Sequence, residues 1–83
     1  MWRSVYSCEQ LGELIQEARK AAGFKQQDFA RRSRMSHTTL SNMEQGKSTS
    51  SRNIEKVLQM LGYKLVVVPK SADIIVMEKT NNG

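Results

Sequence analysis

The only histidine in the sequence, His37, stands next to Thr38, with Ser41 and Asn42 one helical turn further on. These small polar side chains donate and accept hydrogen bonds. They do not form a catalytic set. Cys8 is the sole cysteine, so the chain has no internal disulfide and no cysteine-based metal site. One histidine cannot complete a metal site either. The sequence shows no nucleophile–base pair and no glycine-rich phosphate loop, so neither an enzyme nor a bound cofactor or metal is expected. The row can instead read hydrogen-bonding edges. The methyl of Thr38 suits a thymine methyl, Asn42 can bond adenine in bidentate fashion, and His37 can donate to guanine or to phosphate.

The elements that must carry this row lie between Gln26 and Lys47. Phe29 and Ala30 mark one short helix, predicted from about Lys25 to Arg32. Leu40 and Met43, three residues apart, mark a second. Ser33 to Ser36 break the pattern between them. Ala30 supplies the small residue that two steeply crossed helices need where they touch. Ser36 is a good N-cap for the second helix. This is the layout of a helix-turn-helix, with the second helix offered to a DNA major groove. Residues near its start enter the groove deepest, so His37, Thr38 and Ser41 face the bases, with Asn42 at the edge and Thr39 turned to scaffold or solvent. The bland alternative is an ordinary bundle with a solvated polar row. Solvated helix faces are usually rich in Glu and Lys, and this one is not.

Phosphate contacts have their own candidates. Gln26 begins the first of the two helices, where unpaired backbone N–H groups can hold an anion. Gly46 is expected at positive φ, and Lys47, Ser48 and Arg52 in and after the following polar loop suit a phosphate strand beside the groove. The formal charge of the 83-residue chain is +5. Residues 25–52 hold six basic and two acidic groups, whereas residues 1–24 hold three of each. The excess therefore sits on the helix-turn-helix, and a polyanionic partner follows.

The flanks complete one small domain. Residues 1–7 form an arm whose Trp2, Val5 and Tyr6 should pack on the bundle, the C-terminal segment or a partner. Ser7 and Gln10 form a capping box that opens helix 1. Leu11, Leu14, Ile15, Ala18 and Ala22 make its apolar stripe, and Gly23 ends it. Arg19 and Glu44 each interrupt the expected core edge. Either they pair across helix 1 and the end of the recognition helix, fixing its angle, or they are two unrelated surface charges. Ser50 or Ser51 caps helix 4, whose Ile54, Val57, Leu58 and Leu61 are buried, and Gly62 ends it. The core is expected from these stripes with Phe24, Phe29, Ala30, Met35, Leu40 and Met43. The helical domain spans 8–62. From Tyr63 to Val68 the chain is β-branched and apolar, which reads as a strand too apolar to lie exposed. Leu65, Val66, Val67 and Val68 are the dimerisation candidates. The strand pairs with Asp73–Glu78 in a hairpin through Pro69 to Ala72, with its own copy across a two-fold axis, or with both. Residues 63–78 form this β segment, and 79–83 are a flexible tail. No apolar run is long enough to span a membrane and no signal peptide is evident, so a cytoplasmic protein without a membrane partner is expected.

From Leu11 to Leu61 the chain resembles the Cro/cI (xenobiotic-response-element type) helix-turn-helix family. The resemblance rests on Gln26, Phe29-Ala30, Met35-Ser36, Leu40-Ser41, Glu44-Gln45-Gly46-Lys47 and the helix 4 stripe. It implies a mainly α, four-helix, lambda-repressor-like domain. It also implies operator contacts from Gln26, His37, Thr38, Ser41 and Asn42, phosphate contacts from Lys47 and Arg52, and an Arg19–Glu44 ion pair. The family usually has Thr or Ser where this chain has Lys25, and Gly where it has Arg34. Val5-Tyr6-Ser7 and a strand directly after a short helix 4 are further similar to HipB-type antitoxins. That likeness implies an intermolecular sheet in a homodimer. It also implies repression of its own operon in the bacterial nucleoid, and inhibition of a HipA-type Ser/Thr kinase toxin. The expected function is thus a homodimeric repressor on an inverted-repeat operator, acting as such an antitoxin. The alternatives are a stand-alone repressor, a restriction–modification controller protein or a protein-interaction module.

Overall fold

The computed structural model describes residues 3–47 and 49–71. Four helices follow in order: α1 (Cys8–Ala21), α2 (Gln26–Arg32), α3 (His37–Glu44) and α4 (Ser51–Met60). Ser7, Ser36 and Ser50 cap α1, α3 and α4, each hydroxyl accepting the backbone N–H three residues on. Gln10 reaches back from α1 to accept the Tyr6 N–H at 2.7 Å, so the capping box closes one residue earlier than its usual form. At their C-termini these helices stop on Gly23, Gly46 and Gly62, at φ 87°, 79° and 85°. In each case the glycine N–H and the next N–H turn back onto carbonyls of the last turn. Gly46 donates to Met43 and Lys47 to Asn42, for example.

α2 departs from this pattern at both ends. Its N-cap is Lys25, whose side chain makes no capping bond. Its stop residue is Arg34, held at φ 57° by the same two bonds, Arg34 to Arg31 and Met35 to Ala30. A side chain in this left-handed region costs about 1 kcal/mol relative to glycine. Packing holds α2 in place instead: Phe29 and Ala30 are buried, and the Ser33 hydroxyl donates to the Phe29 carbonyl at 2.8 Å. Lys25→Ser should therefore raise unfolding stability by about 0.5–1 kcal/mol, read from the urea midpoint. An unmoved midpoint would show that the bare N–H groups of α2 are already satisfied by water.

α3 packs on both α1 and α2. Leu14, Ile15, Phe29, Ala30, Leu40, Met43, Val57 and Leu58 form the buried core, with Leu11, Phe24, Met35, Ile54, Leu61 and Tyr63 packed around it. The α1 stripe ends sooner than its spacing suggests: Ala18 is half-buried, and Ala22, the C-cap, is exposed. Gly12 of α1 is buried, and a β-carbon there would lie 2.5 Å from the Glu44 carbonyl oxygen and 2.6 Å from that of Met43. At Gly46 it would lie 2.7 Å from Glu9 Cα. The C-terminal end of α3 thus rests on α1 backbone against backbone.

The strand expected over Tyr63–Val68 is not formed: the described residues contain no strand. A strand needs a ladder partner for its backbone groups, and the described part of one chain supplies none. Leu65, Val66, Val67 and Val68 are left exposed, Val67 at 90%. Tyr6 does not pack on the described bundle, being 85% exposed, whereas Val5 is half-buried. The second candidate strand at 73–78, the tail at 79–83, Trp2 and Ser48 lie outside the described residues. Among those that are described, no helix is long and apolar enough to cross a membrane.

Candidate nucleic-acid interface

The candidate interface begins with what α3 leaves outside. Its inner face carries Leu40, Met43 and Glu44, all buried. His37 and Thr38 are exposed, and Ser41 and Asn42 half-exposed. Thr39 is tied to its own helix start, where its Oγ1 accepts the Ser36 hydroxyl at 2.8 Å and its N–H donates to Ser36 Oγ at 3.0 Å. Gln45 Nε2 donates to Ser41 Oγ at 3.1 Å and steadies that hydroxyl from the far end of the helix. Four polar side chains therefore share one outward surface of a short, doubly anchored helix. Lys47 and Arg52 are exposed just beyond it, on the loop and on α4.

The anchor is electrostatic. Arg19 Nε donates to Glu44 Oε2 at 2.6 Å, and a second guanidinium nitrogen donates to Oε1 at 3.0 Å. The third donates to the Phe24 carbonyl at 2.7 Å. Gln26 Nε2 adds a bond to Glu44 Oε1 at 3.0 Å. Both charged side chains are nearly sealed from water, at 6% and 2% exposure. A buried pair is tolerable only when its remaining donors and acceptors are also used. Here that condition is met: no buried side-chain nitrogen or oxygen among the described residues lacks a partner. The network joins α1, the α1–α2 link and the start of α2 to the end of α3, and so sets the pose of α3.

Gln26 has a place that its spacing alone could not disclose. Read from sequence as a phosphate contact, it stands half-buried at the N-terminus of α2, with its amide committed to Glu44. Gly12 gave no signal at all, because a glycine inside a helical pattern says nothing about a carbonyl that arrives from thirty residues away. The basic groups divide into engaged and free. Arg32 stacks 4.9 Å above the Phe24 ring, and Arg31 pairs loosely with Asp28 at 3.8 Å. Lys25 and Arg34 are exposed, with no ion-pair or hydrogen-bond partner among the described residues. No cluster of His, Cys, Asp or Glu there could hold a metal ion.

Comparison with known proteins agrees with this geometry. The helix-turn-helix family model matches residues 15–68. No curated protein matches the chain in sequence. Among solved structures, a complex of a HipB variant with an O2 20-mer superposes with a TM-score of 0.72 at 24% identity, covering 86% of this chain and all of that one. A HipA–HipB–O2–O3 complex gives a TM-score of 0.71 at 24% identity over 84% of this chain and all of that one. A HipB–O1–O2 complex gives 0.70 at 25% identity over 82% of this chain, again covering the whole of the other. The family match spans well over half of the sequence, and the same four helices build the fold. The chain belongs to the helix-turn-helix family of Cro/cI type.

Proposed function

We propose that the protein is a DNA-binding transcriptional repressor with no catalytic activity, working as a homodimer on an inverted-repeat operator. The observation that carries this reading is the outward row His37, Thr38, Ser41 and Asn42 on a helix whose base is locked by Arg19, Glu44 and Gln26. A recognition helix needs both an exposed reading face and a fixed pose. Lys47 and Arg52 would hold phosphates beside the groove, and Ser48 is a further candidate in the same loop. The likeness to HipB complexes supports a narrower reading, an antitoxin that represses its own operon and restrains a HipA-type kinase toxin. The test is a gel shift with the region upstream of its own gene, together with co-purification with the product of a neighbouring kinase-like gene. No shift on that region would reject the repressor. A shift without kinase binding would leave a stand-alone repressor.

Two expected results follow. Thr38→Ala should weaken binding to the upstream duplex by about 1 kcal/mol, or roughly fivefold, for each half-site. Binding to mixed-sequence DNA should stay unchanged. An equal loss on both would take Thr38 off the base-reading face. The dimer, in this reading, is built from the exposed stretch Leu65–Val68, paired with its copy as a strand across a two-fold axis. A chain truncated after Gly62 should then sediment as a monomer. A truncated chain that still dimerises would place the interface on the helices.

A further inference from the structure

All four helices close in the same way, with a left-handed residue followed by two backbone bonds to the last turn. Three use glycine, and α2 uses Arg34. Three helices open on a serine whose hydroxyl caps the first turn, and α2 opens on Lys25, which caps nothing. Both departures fall on one helix, both introduce a cation, and both work against local stability. A non-glycine residue kept in such a backbone region points to a function outside the fold. The two side chains are exposed and unpaired among the described residues, whereas Arg32 between them stacks on Phe24 and Arg31 lies 3.8 Å from Asp28. In a helix-turn-helix the first of the two helices crosses the DNA backbone while the second enters the groove. That helix here is α2.

We infer that Lys25 and Arg34 are DNA phosphate contacts, one at each end of α2, where the other three helices carry a capping serine and a stop glycine. This rests on the DNA-binding reading above. Arg34 also stands three residues ahead of His37, so it and Lys47 bracket the base-reading row from the two ends of α3. The side chains themselves, and not the helix terminus, are the ligands. The set of phosphate contacts is thereby larger than the residues after α3, and non-specific affinity is the property it raises.

The test uses the full chain with Lys25→Ser and Arg34→Gly, and two duplexes, one from the region upstream of its own gene and one of mixed sequence. Each substitution should raise the melting temperature by a few degrees and at the same time weaken binding to both duplexes. Counterion release sets the loss at roughly fivefold per half-site in about 0.15 M monovalent salt, with the salt slope flattened by about one unit per half-site. Arg34→Lys should keep most of the slope. Higher stability with unchanged affinity and slope would overturn the inference and leave the repressor reading intact. Unaltered protein that fails to bind either duplex would overturn both. A purely structural role would move stability and affinity in the same direction, and that result too would reject the inference.

Discussion

Arg19→Met is expected to destabilise the domain by about 3–5 kcal/mol, a large share of the stability available to a fold of this size. The methionine has room, so packing is not the cause. The cause is Glu44, whose carboxylate would be left 2% exposed with only the Gln26 amide still bonded to it. An uncompensated buried charge must be reached by water, and that requires the end of α3 to move. The double variant Arg19→Met, Glu44→Leu removes the charge altogether and should recover most of the loss, since well-packed apolar pairs replace buried ion pairs at little net cost. Denaturant titration of the two single variants and the double variant gives the coupling. Simple additivity would show that the pair does not act as a unit. If the double variant regains stability but not DNA affinity, the pair serves chiefly to set the angle of α3.

Gly12→Ala should also destabilise the domain, by less and for a different reason. On an exposed helix this change stabilises by about 1 kcal/mol. Here the new carbon would sit 2.5–2.6 Å from two carbonyl oxygens of α3, and backbone cannot turn aside as a side chain can. Overpacking of this kind costs about 1–3 kcal/mol and is relieved only if the helices part. Set against the propensity gain, we expect a net loss of about 1–2 kcal/mol and a larger loss of specific than of non-specific DNA binding, because α3 is displaced while the surface charge stays. A variant more stable than the parent would show that α1 and α3 are not in backbone contact.

These two results divide what the sequence reveals from what it hides. Arg19 and Glu44 were legible because each is charged on an otherwise apolar face, and a charge there demands a partner. The helix starts were legible for a similar local reason: Ser7, Ser36 and Ser50 act on N–H groups three residues away. Gly12 was silent because its constraint comes from another element. Gln26 was read as a phosphate contact, and its bond to Glu44 was hidden because that carboxylate arrives from another helix. The stretch Tyr63–Val68 has strand composition, but a strand is completed by a neighbour, and the described residues supply none. Thr38 and His37 were readable as exposed polar groups, while the brace from Gln45 to Ser41 required the fold.

The bonds from Arg19 and Gln26 to Glu44 also bear on the tempo of the encounter with DNA. A reading helix already held in its final attitude needs no rearrangement before it can seat. Arrival should then be governed by long-range attraction between a cationic surface and a polyanion, fast in dilute buffer and slowed as ions are added. The distinction between right and wrong sites would be expressed almost wholly in how long the protein stays.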